Sequence, residues 1–188
     1  NGIAVVTLTA NNVSQSIEVV FGTISEPGAR YVDGATGQDV ATCGESATPC
    51  ATLSYTLNSR AVDGDSLFVA AGLYRENPTI NGITVTLRGG YTLSGTQWLT
   101  GTGETIIDGN AAGRALTLQG SNAVLENLTL TGGQSPAGEC WGGGMWVSNG
   151  NVTIRASRVT ANVAGCSGGG IEVNSDLGPA HLTLEDSI

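Results

Sequence analysis

Alternation of apolar and polar side chains marks three stretches that repeat one another: Leu116 to Gly133 (LTLQGSNAVLENLTLTGG), Met145 to Asn162 (MWVSNGNVTIRASRVTAN) and Ile171 to Ile188 (IEVNSDLGPAHLTLEDSI). Each reads as a strand, a turn rich in Gly, Asn and Ser, and a second strand. Aligned on the first strand, the copies are offset by 29 and then 26 residues, and the third carries four extra residues in its turn. Repeats of this size built from strands predict a solenoid, in which each turn buries its apolar face only by stacking on its neighbours. At about 25 residues per coil, the stretch from Ser66 to Ile188 holds roughly five coils.

Stacking the copies assigns directions to side chains. Leu116, Met145 and Ile171 form one column, Leu118, Val147 and Val173 a second, and Leu125, Ile154 and Leu184 a third. All nine are expected inside. Between the first two columns lie Thr117, Trp146 and Glu172, which a period of two turns outward. Beside the third lie Glu126, Arg155 and Glu185, an acid–base–acid series expected to select register more than to add stability.

Towards the N-terminus, Ile3 to Thr9 (IAVVTLT) and Ile17 to Phe21 (IEVVF) flank Asn11-Asn12. They predict a β-hairpin or strand pair, or the end of a preceding sandwich, over residues 1–24. Ser25 to Gly28 (SEPG) reads as a linker-like break, and residues 25–188 as the repeat body with its cap. Within Thr52 to Arg60 (TLSYTLNSR), Leu53 and Leu57 share one helical face, with Ala61 a turn further on. This short amphipathic helix is expected to cover one end of the stack, where backbone groups of the first strands lack partners. The chain stops inside a repeat, so further coils are expected after Ile188.

The four cysteines bear on compartment. Cys140 and Cys166 each precede a Gly-Gly-Gly run by the same spacing and so occupy equivalent places in successive copies. Stacked strands are about 4.8 Å apart and bridged cysteines need a Cα separation of roughly 4.4 to 6.8 Å, so the repeat brings this pair within bonding range. Cys43 and Cys50, in CGESATPC, are placed to close a short loop. Loop entropy gives about 3.5 kcal/mol for the longer bridge and about 2.5 kcal/mol for the shorter. An even count in loops points to an oxidising, extracellular or cell-surface setting. Zinc does not suit these spacings, and His181 is the one histidine.

Composition narrows the partners. Seven basic residues, all Arg, face 16 acidic ones, for a net charge of -9. Such a field repels nucleic acid and anionic membrane. No apolar run approaches the roughly 18 residues of a spanning helix.

The segment YVD...G.D, followed by PCATLSYTLNSRAVDGDSLFVAAGLYRE from Pro49 to Glu76, resembles the opening of right-handed parallel β-helix proteins of the pectate-lyase-like superfamily. GGGM (Gly142 to Met145), GGGI (Gly168 to Ile171) and VTAN (Val159 to Asn162) are similar to the paired tetrapeptides of chlamydial polymorphic outer-membrane proteins, with Gly in place of Ala and Val in place of Phe. The resemblance spans about Tyr31 to Ile188 and implies an all-β, right-handed parallel β-helix fold. It implies no single activity, because that scaffold carries enzymes, adhesins and inert stalks alike.

An enzyme of the pectate-lyase-like type would need clustered carboxylates with calcium and a basic side chain, and a β-helical glycosidase two or three Asp on adjacent coils. Asp108, Glu126, Glu139, Glu172, Asp176 and Asp186 are scattered instead, and Arg75, Arg88 and Arg114 are the candidate bases. No catalytic residue is therefore assigned, and no cofactor beyond a calcium candidate at Asp33 and Asp39, set against turn capping by the same side chains. Trp98, Trp141 and Trp146 are the candidate contacts for a glycan or a host or cell-surface protein, since exposed indoles supply contact area at small entropic cost. The expected function is a non-catalytic stalk or adhesin-like passenger, with a polysaccharide-active enzyme as the alternative.

Overall fold

The structure, a computed structural model, describes residues 2–10, 13–21, 28–101, 103–176 and 178–188. Strands dominate, with one short helix among the described residues. Gly2–Ala10 and Val13–Phe21 pair antiparallel, Gly2 opposite Phe21 and Ala10 opposite Val13. Asn11, Asn12 and residues 25–27 of the linker-like break lie outside the described residues.

From Ala29 onward the strands form three largely parallel sheets. The first holds Ala29–Val32, Ser66–Ala70, Thr84–Ser94, Asn122–Glu126, Gly150–Arg155 and Ala180–Glu185, with Gln97–Thr100 attached antiparallel to Thr84–Ser94. The second holds Gly72–Arg75, Thr105–Asp108, Leu128–Thr131 and Arg158–Val159. The third holds Thr79–Asn81, Leu116–Gln119, Met145–Ser148 and Ile171–Asn174. From Ser66 the chain visits first, second and third sheet in turn, then begins again.

Pairing follows the columns read from sequence. Leu116 lies opposite Met145 and Met145 opposite Ile171; Leu118, Val147 and Val173 align likewise, as do Leu125, Ile154 and Leu184. Leu116, Met145, Leu118, Val147, Leu125 and Ile154 are buried. Ile171 and Val173 are half-buried against the same core. Leu184 departs from the expectation and is 54 % exposed. Its strand is the last of the first sheet, and an inward-facing position is buried only when a layer lies on both sides of it.

Close approach of successive passes explains the glycine runs. The amides of Gly143 and Gly144 donate to the carbonyls of Gly168 and Gly169 at 3.2 and 3.0 Å. A Cβ on Gly143 would stand 2.2 Å from the carbonyl oxygen of Val163, so alanine is excluded there. Asn162 bridges passes, its Oδ1 accepting from the Gly133 amide at 2.8 Å and its Nδ2 donating to the Leu130 carbonyl at 3.0 Å. The corner after the first-sheet strand carries a left-handed residue in each of the last three passes: Asn127 at φ 54°, Ala156 at 45° and Asp186 at 48°. Asn and Asp tolerate that region better than alanine does.

Within the strand Ser66–Ala70 (SLFVA), the run from Leu67 to Ala70 is apolar without a break because both faces of the strand are covered. Leu67 and Val69 enter the central core. Phe68 and Ala70 point the other way, into a second cluster with Tyr31, Tyr91 and Trp98. That cluster exists because the chain turns back after Ser94 and lays Gln97–Thr100 alongside Thr84–Ser94, Leu93 opposite Trp98. Tyr31 stacks on Phe68 with ring centroids 5.3 Å apart, and Tyr91 meets Phe68 edge-on at the same separation.

The predicted helix forms over Leu53–Ser59, with Thr52 as N-cap accepting from the Tyr55 amide. Leu53 and Leu57 join the central core. The Glu76 carboxylate accepts from the Leu53 and Ser54 amides at 2.9 and 2.7 Å, satisfying donors that a first helical turn leaves open. Nearby, the Arg30 Nε lies 3.1 Å from the buried Asp65 carboxylate, which also accepts from the Val62 amide at 3.0 Å. The Gly64-Asp65 turn is thus an electrostatic anchor as well as a bend.

Two measurements test this packing. Leu118→Ala is expected to cost about 2–5 kcal/mol in denaturant unfolding, and Leu184→Ala within about 0.5 kcal/mol; equal costs would contradict the assignment of inside and outside. Burial pushes the Tyr74 phenol up to about 12 from 10.0, its hydroxyl donating to the Ala70 carbonyl at 3.0 Å. A folded-state pKa above the unfolded one gives stability that is complete below about pH 10 and lost as pH rises through about 12. Tyr74→Phe is expected to flatten that alkaline loss, and an unchanged slope in the variant would refute the assignment.

Candidate functional site

The residues singled out from sequence gather into two groups. The first is the loop from Asp33 to Cys50 with the hairpin that carries Trp98. Cys43 and Cys50 are bridged, their Cα atoms 4.9 Å apart. Further ties close the loop: the Gln38 amide donates to the Pro49 carbonyl at 3.1 Å, and the Gly44 amide to the Thr48 carbonyl at 2.9 Å.

Asp33 and Asp39 serve different donors. Asp33 accepts from the Ala35 amide at 3.0 Å and from the Thr36 hydroxyl. Asp39 accepts from the Ala51 and Thr52 amides at 2.9 and 3.1 Å and from the Thr52 hydroxyl at 2.8 Å. Both carboxylates therefore act as turn and helix-entry caps, the plainer of the two readings. Among the described residues one trio of metal-type ligands converges, Asp39, Cys43 and Cys50. Two of its members are the disulfide, which offers no thiolate.

Trp98 corrects the expectation of a surface platform. It is 3 % exposed, packs on Tyr31 with ring centroids 5.0 Å apart, and donates from Nε1 to the Ser46 carbonyl at 3.0 Å. The hairpin turns it inward, so the indole fastens the hairpin to the loop.

The second group centres on Arg114, which sequence suggested only as a base. Its side chain is buried, and its guanidinium donates to the carbonyl of Gly142 at 3.0 Å and that of Trp141 at 3.1 Å. It pairs with Glu139 at 2.5 Å and lies 5.1 Å above the Trp146 ring. Beside it Cys140 and Cys166 are bridged, with Cα atoms 4.7 Å apart, at the strand spacing that stacking requires. Trp146 is half-buried, and its Nε1 is enclosed with no hydrogen-bond partner among the described residues. Trp141 is 47 % exposed and presents an indole to solvent. Of the three tryptophans, Trp141 alone has the exposure that a contact platform needs.

The other acids and bases are dispersed. Arg75 pairs with Asp108 at 3.7 Å. Along the outer face of the first sheet run Arg88, Glu126, Arg155 and Glu185, linked at 3.2, 3.5 and 2.6 Å. The two glutamates hold Arg155 above its ordinary pKa through hydrogen bonds and charge, Glu185 foremost. Glu172 accepts from the Ser167 hydroxyl at 3.4 Å and Asp176 from the Asn174 side chain at 3.1 Å. The sequence reading missed Arg88 as the start of this ladder, Glu76 as helix cap and Arg114 as loop clamp. The signal for the first was present, a base in register with Glu126; nothing local announces the other two.

Removing the buried indole tests its role: Trp98→Ala is expected to cost about 3–5 kcal/mol, whereas Trp141→Ala stays within about 0.5 kcal/mol. Chemical denaturation of both variants measures this, and the reverse order would contradict the structure.

The two disulfides point to an oxidising, extracellular-type environment, and no helix among the described residues is long and apolar enough to cross a membrane. The chain matches no family model, no curated protein and no solved structure, so the case for its function rests on its own geometry.

Proposed function

We propose that the three parallel sheets are the faces of a right-handed parallel β-helix, and that the chain is a non-catalytic extracellular scaffold acting as a stalk or adhesin-like passenger. The observation that carries this reading is the register. One pass after another visits the sheets in the same order, with equivalent residues paired. An arrangement of that kind grows along one axis and displays its turns laterally, which suits a spacer that presents contact loops. Trp141, exposed on the clamped loop beside Cys140, is the contact we assign to a glycan or a host or cell-surface protein.

The polysaccharide-active enzyme is the competing reading. Dispersal of the acids supports the scaffold, because Asp108, Glu126 and Glu139 each engage their own arginines. Arginine also stays protonated at ordinary pH and is a poor base. Incubated with polygalacturonate, with and without calcium, the protein is expected to release no unsaturated product above a heat-treated control. Turnover abolished by changing a single carboxylate would overturn the scaffold and install the enzyme.

A further inference from the structure

The loop from Asp33 to Cys50 faces the tip of the Trp98 hairpin across a cleft of about 690 Å³, a volume typical of small-molecule sites, which run from about 300 to 1,000 Å³. Gln38, Thr42, Ser46 and Thr48 line it from the loop and Thr96 from the hairpin turn. Val40, Pro49 and Leu93 supply its apolar surface. No ionisable side chain lines this cleft, although the chain carries 16 acidic residues.

We propose that this cleft is a binding site for an uncharged oligosaccharide. Hydroxyls and a carboxamide both donate and accept, so they complement the hydroxyls of a sugar of any orientation. The aliphatic patches suit the C–H faces of the rings. A charged ligand finds no counter-charge in the lining, and an anionic one also meets the net charge of -9. The walls are fixed before binding. The Cys43–Cys50 bridge closes the loop, and the Trp98 indole bonds to the Ser46 carbonyl, joining loop wall to hairpin wall. Such preorganisation lowers the ordering cost of association. Because no aromatic platform lines the cleft, dissociation constants of about 1 mM are expected. This inference stands apart from the scaffold reading, since the cleft binds or fails to bind whatever the sheets support.

The test is NMR titration of the ¹⁵N-labelled protein with neutral oligomers of glucose (α-1,4 and β-1,4), mannose, galactose and N-acetylglucosamine, with an oligogalacturonate as the charged control. At least one neutral oligomer is expected to shift amides in 36–49 and 93–96 saturably, and the oligogalacturonate to leave them unmoved. Gln38→Ala, at an exposed position, is expected to weaken binding about 3- to 10-fold, and Thr48→Trp, which fills the cleft, to abolish it while leaving the remaining spectrum unchanged. Absence of saturable shifts with every neutral oligomer overturns the proposal. So do shifts that persist in Thr48→Trp, or that centre on Trp141.

Discussion

Parallel hydrogen bonding between successive passes of the chain obliges residues of equal phase to share a line, Leu118 with Val147 and Val147 with Val173. A slip of one residue in any pass would turn its apolar set outward and its polar set inward. Everything else in the body is arranged to hold that phase. The glycine runs permit passes to approach without a Cβ between them. Asn162 ties one pass to the next, and the alternating series Arg88, Glu126, Arg155, Glu185 is satisfied only in one alignment. Exposed ion pairs of this kind contribute little stability; their effect lies in opposing a slip, which would part each acid from the base opposite it.

The two ends of this stack solve different problems. At the Ala29 end, the helix Leu53–Ser59 and the aromatic cluster cover surfaces that a bare sheet would leave wet. The extra hairpin serves twice, burying Phe68 under Tyr91 and Trp98 and forming one wall of the uncharged cleft. At the other end Leu184 and Ile188 are exposed, at 54 % and 79 %.

Much of this was legible in the sequence for a physical reason: a period of two fixes faces, and a recurrent spacing fixes columns. Leu116, Met145 and Ile171 and the Cys140–Cys166 bridge follow from those rules, and the helix with Leu53 and Leu57 inward follows from their i, i+4 spacing. What lay beyond them depended on chain segments that break the repeat. Trp98 read as a surface indole because nothing local shows that its hairpin folds back to cover Phe68. Asp33 and Asp39 carried two readings in the sequence, and the donors they cap, Ala35, Thr36, Ala51 and Thr52, emerge only with the loop's path. Arg114 reaches its partners 25 to 28 residues away, through a loop whose path the repeat does not specify.

The phase of the stack is most directly measured by interstrand nuclear Overhauser contacts in an isotopically labelled sample. The account predicts parallel-strand contacts that pair Leu116 with Met145, Leu118 with Val147 and Val147 with Val173. Contacts pairing Leu118 with Trp146, or an antiparallel pattern between Leu116–Gln119 and Met145–Ser148, would contradict it.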